Sequence, residues 1–328
     1  MLVTNSGLAN ACTGEAGLAD AWAMVDAAAD ATGVDRGQVL VASTGVIGPR
    51  LPIDAVTAGI RAAAGGLSAD AGEAAAQAIR TTDAFPKLAQ TDVTLGGARA
   101  RVGGMAKGAG MVRPDMATTL AQLTTDAAVP ALALKRMLRD AADGSFNAIS
   151  VDGCTSTNDC IFLLANGAGG AVAGSRRETA ALAAAIAEVA LALAHQVVRD
   201  GEGSTRVCTY RVSGAADAED AARAARAVAE NVLVKCALHG GDPNWGRILA
   251  ALGASGARLD PDRIGVRVGG VQVVSGGAGV GAEAAARVAL AEADVEVAVE
   301  LGLGEGAARV IASDLSPGYV AFNAGVTS

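Results

Sequence analysis

Apolar residues recur at intervals of three and four over Leu18–Ala31, Ala69–Ile79, Ala128–Ala142, Glu178–Val198, Ala216–Glu230 and Ala282–Ala291. That is the period of amphipathic helices. Alanine fills most of these positions, so the helices can approach their neighbours closely. Runs of β-branched residues predict strands over Val39–Ala42, Val93–Leu95, Ile149–Asp152, Val207–Val212, Ile264–Val268, Val271–Val274, Val295–Leu301 and Ala308–Ile311, many of them closed by glycine. Helices and strands intermingle, but in the second half two or three strands follow one another directly. This order predicts a mixed or antiparallel α+β architecture and not a doubly wound parallel sheet. No repeat of fixed period, long Ser/Pro linker or low-complexity tail interrupts the pattern.

Composition narrows the functional classes. The 328 residues are 51% hydrophobic and 18% charged, enough apolar material for a sizeable core in one large domain or two ordinary ones. The net charge of −8 and the lack of any Lys/Arg run argue against nucleic acid as a partner. With only 2% aromatic residues there are no stacking platforms for bases either. Cys12, Cys154, Cys160, Cys208 and Cys236 are an odd number without a recognisable signal peptide, which reads as reduced thiols in the cytoplasm. Thr179–Val198 is the most apolar stretch, but it is mostly alanine and carries Glu188, the pattern of a buried helix and not of a membrane span. Only two histidines occur, and His195, mid-helix among alanines, reads as a core residue. Imidazole-centred catalysis and His-rich metal sites are therefore poor fits.

Glycine is abundant, yet phosphate-binding signatures are weak. Gly277-Ala-Gly-Val-Gly-Ala282 fits a relaxed dinucleotide fingerprint, but it lies near the end of the chain and reads as a tight turn. Four polar, glycine-bearing stretches stand out against the alanine background: Asn5–Gly14, Ser43–Gly48, Ser150–Asp159 and Gly241–Arg247. Each alone is explicable as turn chemistry; Asp242-Pro243 reads as a cap opening a helix from Asn244 toward Leu252. Together they predict the walls of one site. A fifth stretch, Met105–Leu120, contains Pro114, which forbids a continuous helix, and places Thr118 and Thr119 after Ala117. By residue type alone these threonines are ordinary helix caps, Lys107 a surface lysine and Glu202 a solvated turn acid.

Taken in order, Asn5-Ser-Gly with Asn10-Ala-Cys-Thr-Gly, Ser43-Thr-Gly-Val-Ile-Gly, Thr81-Thr-Asp, Ala106-Lys-Gly-Ala-Gly-Met with Met116-Ala-Thr, Ser150-Val-Asp-Gly with Thr155-Ser-Thr-Asn-Asp, and Asp242-Pro-Asn-Trp-Gly-Arg resemble the ornithine acetyltransferase family. Members are bifunctional glutamate N-acetyltransferases of arginine biosynthesis. The resemblance runs from Asn5 to Ser328 and implies a layered α/β sandwich with mixed sheets, of the self-processing aminopeptidase type. Family members usually carry several strands before the Asn-Ser-Gly motif. This chain begins close to the motif: either its true start lies upstream, or it lacks strands that normally complete the fold and a sheet edge is exposed.

The resemblance also implies a mechanism. The chain would cleave itself between Ala117 and Thr118, leaving an α chain of residues 1–117 and a β chain of residues 118–328. Thr118 would then be the nucleophile, its new α-amine serving as base without any histidine. It would take acetyl from N2-acetylornithine and pass it to glutamate by a ping-pong route. Thr44 and Gly45 would stabilise the oxyanion, and Thr81, Lys107, Thr118, Glu202, Asn323 and Ser328 would bind substrate. No cofactor or metal is implied, although acetyl-CoA is an open second donor, and two α and two β chains would associate. The rivals are a paralogous self-processing acyltransferase, an amidase or aminopeptidase with another substrate, and an inactive, amino-terminally truncated member.

Overall fold

A computed structural model of the chain describes residues 1–113 and 119–325. Ala117, Thr118 and Ser328 lie outside the described residues.

The carboxyl-terminal half is built on a seven-stranded sheet in the order Ala278–Gly279, Val271–Ser275, Gly265–Val268, Asp294–Glu300, Val207–Ala215, Gly306–Ser313 and Ile149–Ser150. Val207–Ala215 runs parallel to Asp294–Glu300 and antiparallel to Gly306–Ser313, so the sheet is mixed, as the order of elements predicted. Val295, Val297 and Val299 are buried while Asp294, Glu296 and Glu300 face outward, the two-residue alternation of a strand with one covered face. Helix Ala218–Glu230 packs on this sheet through Ala221, Ala224, Ala225, Val228 and Ala229. Here alanine brings the helix axis close to the strands. Within Gly277–Ala282 the turn is confined to Gly277, which with Gly276 closes a hairpin; Ala278–Gly279 returns as the short edge strand, with Gly279 against the ring of Trp245.

A second sheet of four strands follows the order Lys87–Leu95, Ala98–Lys107, Leu120–Thr125 and Cys160–Ala165. Its hairpin turns through Gly96 and Gly97, both with positive φ. The sequence marked only Val93–Leu95 of this hairpin, because Ala98–Lys107 carries alanines and a glycine pair where β-branched residues usually reveal a strand. Helix Arg176–Arg199 packs on the hairpin and on helix Ala131–Gly144, and reaches the large sheet at Gly306–Ser313. Ser175 and Glu178 close its first turn in a reciprocal capping box. The helix is long and apolar enough to cross a membrane, but Leu182, Ile186, Val189, Leu193 and Val197 are buried in the protein core. His195 departs from its core reading: its side chain is 38% exposed and its Nε2 lies 3.0 Å from Asp294 Oδ1. The last turns of the helix emerge at the sheet end, which gives the ring an acidic partner.

At the amino end, Leu2–Asn5 pairs in parallel with Leu40–Ser43, and Leu8–Ala9 with Val46–Ile47, across helix Gly14–Thr32. Leu2–Asn5 has a ladder on one side only among the described residues. Three described helices lie outside the pattern read from the sequence: Ile53–Gly65, Val232–His239 and Pro317–Gly325. The first and last have no buried residue, so no apolar stripe announces them.

Candidate active site

Strand ends and loops from the amino-terminal unit, the four-stranded sheet and the last helix converge on a cavity of about 610 Å³. Three of the four polar stretches line it, through Ser6 and Gly7, Thr44 and Gly45, and Asp152 to Asp159. The fourth does not. Asn244, not Asp242, caps helix Trp245–Gly253 by accepting the Arg247 N–H, and the Trp245 Nε1–H donates to Glu283 at 2.8 Å. Gly241–Arg247 is a joint between helices Val232–His239 and Trp245–Gly253.

Thr44 and Gly45 sit where Leu40–Ser43 ends. Thr44 N–H donates to Asn5 O and Val46 N–H to Gly7 O, while Gly45 N–H donates to none of the described residues. Gly45 has φ +132°, and a Cβ there would lie 2.2 Å from the Gly7 carbonyl carbon. Only glycine fits such a backbone crossing. The result is a rigid pair, a buried hydroxyl next to a free amide, suited to a developing oxyanion.

Lys107 is not a surface lysine: it is 8% exposed, at the end of its strand. Its Nζ donates to Thr81 Oγ1 at 2.6 Å and to Thr44 Oγ1 at 3.3 Å, and lies 3.7 Å from Asp83. Burial pushes its ammonium down from the ordinary lysine range, and Asp83 and Asp159 oppose the shift. Behind it, the fully buried Lys87 donates to Asp83 at 2.6 Å and to Asp200 at 2.5 Å. Asp83 in turn accepts the N–H groups of Gly108 and Thr81, and Asp200 that of Ala84. One internal ammonium thus ties together the Thr81 loop, the residue after Lys107 and the turn leading to Glu202. Burial alone would raise the Asp83 carboxyl, but Lys107, Lys87 and the Gly108 amide hold it below its ordinary value.

Glu202 also departs from its reading as a solvated turn acid. Its N–H donates to Ala109 O at 2.8 Å, and its Oε2 accepts from Asn323 Nδ2 at 3.0 Å. A Cβ on Gly110 would come within 2.7 Å of the Glu202 carboxylate carbon, so glycine makes room for it. Asn323 and Tyr319 stand one turn apart on helix Pro317–Gly325 and both reach the cavity. Tyr319 Oη donates to Asp152 at 3.3 Å, and Asp152 also accepts the N–H groups of Met111, Val112 and Cys154. Burial, with Asp152 close by, pushes the Tyr319 phenol up.

Thr44, Gly45, Thr81, Lys107, Glu202 and Asn323 therefore share one cavity, and Met111 and Thr119, on either side of residues 114–118, line it too. Asp159 was part of a recognised motif but had no assigned role. Its carboxyl is pushed up to about 7, chiefly by burial and against the pull of Lys107. Sequence offers no signal for this, since the burial comes from segments distant in the chain. The one arrangement reminiscent of a histidine triad, His239 with Asp314 and Thr205, lies away from the cavity, and Thr205 Oγ1 and Asp314 both meet the same ring nitrogen, Nδ1, at 3.2 and 2.8 Å, so the ring does not stand between hydroxyl and carboxylate. Among the described residues no cluster of three or more His, Cys, Asp or Glu could hold a metal ion.

The ArgJ family matches residues 1–328. The arginine biosynthesis bifunctional protein ArgJ of Symbiobacterium thermophilum is 52% identical over 278 residues, 84% of this chain and 69% of that protein. Its counterpart in Geobacter sulfurreducens is 46% identical over 327 residues, 98% of this chain and 83% of that protein. Among solved structures, arginine biosynthesis bifunctional protein argJ from Bacillus halodurans matches with a TM-score of 0.59 and 34% identity, covering 62% of this chain and 97% of that one.

Proposed function

The chain belongs to the ArgJ family, and from that premise we propose that it is an acetyltransferase of arginine biosynthesis that moves acetyl from N2-acetylornithine to glutamate. Thr118 is its nucleophile, exposed when the chain cleaves itself after Ala117. The observation that carries this reading is the convergence of Thr44, Gly45, Thr81, Lys107, Glu202 and Asn323 on a cavity that Met111 and Thr119 also line.

Each group then has a chemical task. The α-amine of Thr118, with an ordinary pKa of about 7.7–8.0, takes the proton of its own hydroxyl as Oγ attacks the acetyl carbonyl. The Thr44 hydroxyl and Gly45 N–H receive the negative charge that develops on the acetyl oxygen. Lys107 and Glu202 supply opposite charges for the carboxylate and cationic nitrogen of an amino acid, and Thr81, Asn323 and Ser328 are its further binding residues. An acetyl ester on Thr118 holds the group while ornithine leaves and glutamate enters. Acetyl-CoA is a second candidate donor. Further parts of the proposal are an assembly of two 1–117 and two 118–328 chains and a cytoplasmic setting, the latter in keeping with five free cysteines. The Bacillus halodurans chain is matched almost whole by 62% of this one, close to the share that follows Ala117.

Intact mass of the purified protein tests the proposal directly. Two chains of 117 and 211 residues are expected, against a single 328-residue chain for Thr118→Ala. Acetyl transfer from N-acetylornithine to glutamate should exceed release of free acetate. A Thr118→Ala protein that still splits would sink the nucleophile, and acetate as the main product would favour a hydrolase.

A further inference from the structure

We propose that Asp159 is a further catalytic residue, a carboxyl that accepts a hydrogen bond from the substrate nitrogen at which acetyl is exchanged and carries that nitrogen's proton. The inference rests on the acetyl-transfer reading above and deepens it.

Geometry supplies the first reason. Asp159 lines the cavity with Thr44, Gly45 and Lys107, and its Oδ2 is buried without a hydrogen-bond partner. A buried carboxylate oxygen left without a donor is costly, and at a cavity wall the missing donor is a group of the ligand. The second reason is register. Cys160 pairs with Leu120 and its N–H donates to Thr119 O at 3.2 Å, so Asp159 stands beside Thr119, the residue that follows the nucleophile. A donor group arriving there meets the wall that also carries Thr44 and Gly45, the proposed oxyanion pair.

The proton balance closes over one cycle. When donor binds, Thr118 Oγ bonds to the acetyl carbon, its proton goes to its own amine, and the C–N bond breaks as protonated Asp159 gives its proton to the departing nitrogen. When acceptor binds, its nitrogen bonds to the acetyl carbon and gives a proton to ionised Asp159, the C–Oγ bond breaks, and Oγ regains a proton from the Thr118 amine. Asp159 ends as it began. A carboxyl pushed up to about 7 suits this double task, since both forms are populated near neutrality. The charged and titratable groups that share the cavity with it are Lys107, Arg80, Asp152, Glu202, Tyr319 and Cys154, and Cys160 adjoins it. Burial opposes the ionised form, while Lys107 and the Ser156 hydroxyl favour it, leaving Oδ2 without a donor.

The test compares wild type, Asp159→Asn and Asp159→Glu in single-turnover half-reactions from pH 5.5 to about pH 8.5, the span around neutrality in which a carboxyl so raised changes charge. Acetylation by N-acetylornithine needs the protonated carboxyl together with the neutral Thr118 amine, so it should pass through a maximum between about pH 7 and about pH 8 and fall at higher pH; deacetylation by glutamate needs the ionised carboxyl and should slow as pH falls through about 7. Asp159→Asn should cut both rates by roughly 10²–10⁴-fold with a smaller change in KM, and remove both carboxyl limbs, the high-pH fall of acetylation and the low-pH fall of deacetylation, while Asp159→Glu restores part of the rate and both limbs. An Asp159→Asn protein that fails to split, keeps its rates within about threefold of wild type, or retains the opposed limbs would overturn the assignment, a few-fold being the range of an incidental contact. Wild type that splits but transfers no acetyl would instead overturn the acetyl-transfer reading, so the two failures are separable.

Discussion

Ser150–Asp159 and Gly241–Arg247 look alike in sequence, each a short polar run rich in Asn, Asp and Gly, yet they do different work. Asp152 reaches across some 40 residues to accept the N–H groups of Met111 and Val112, and it receives the Tyr319 hydroxyl from the last helix. The side chain of Asn244 bonds only within its own turn, to Arg247 N and Asp242. The rest of Gly241–Arg247 bonds to neighbouring helices, Trp245 to Glu283, Arg247 to Leu233 O and Asp242 to Arg287, all away from the cavity. Asp152 instead draws the Met111 segment and the last helix to one point, and there a cavity can form.

That contrast is most severely tested at Lys87, the buried ammonium that joins Asp83, four residues away, to Asp200, 113 residues away. Lys87→Met strands Asp83 and Asp200 in the interior, and about 3–5 kcal/mol of stability should be lost in denaturant unfolding. Adding Asp200→Asn, which removes one stranded charge, should recover part of the loss. The pH dependence has a definite sign. Asp83 is held below its ordinary 3.8, so its contribution is full above that value and is lost as pH falls through its lower folded value. Removing Lys87 should move that acid limb upward. Unfolding curves of Lys87→Met indistinguishable from wild type would show that the network does not hold the site together.

Next in size is Thr44→Val, a change of nearly equal volume that deletes one of the two proposed oxyanion donors. The expectation is a fall of about 10²–10³ in kcat with KM little changed, because the hydroxyl is needed for charge present only in the transition state. The Ser43 hydroxyl still bridges Asn10 N and Leu8 O in this variant, so the loop should keep its fold. A variant with wild-type kcat would remove Thr44 from the oxyanion site.

How far the sequence could be read follows the same division between local and distant contacts. The helix over Glu178–Val198 was legible because its period lies within the element, and the observed helix spans Arg176–Arg199. The successive strands of the second half were legible for the same reason. Ala98–Lys107 was hidden, since its small residues answer to neighbouring strands and a crossing helix. At the site, Thr44, Gly45, Thr81, Lys107, Glu202 and Asn323 came from a resemblance in ordered motifs, while residue type alone read Lys107 and Glu202 as solvent-facing. Their burial is produced by Asp83, by Asn323 and by the turn at Gly108–Gly110, none of which is near Glu202 in sequence. Asp159 lay in a quoted motif, but its missing partner is visible only once the cavity is built.

Asn244 provides the smallest and most discriminating comparison. Its side chain accepts the Arg247 N–H at 3.2 Å, satisfying one of the unpaired amides at the start of helix Trp245–Gly253. Asn244→Ala should cost about 0.5–2 kcal/mol, read as a shift of the unfolding midpoint, as for other cap removals. Acetyl transfer by the folded fraction should be unchanged, because no residue of Gly241–Arg247 lines the cavity. Assayed well below its melting temperature, a variant that lost kcat without losing stability would join this loop to the active site after all, and the distinction between the helix joint and the cavity loop would fail.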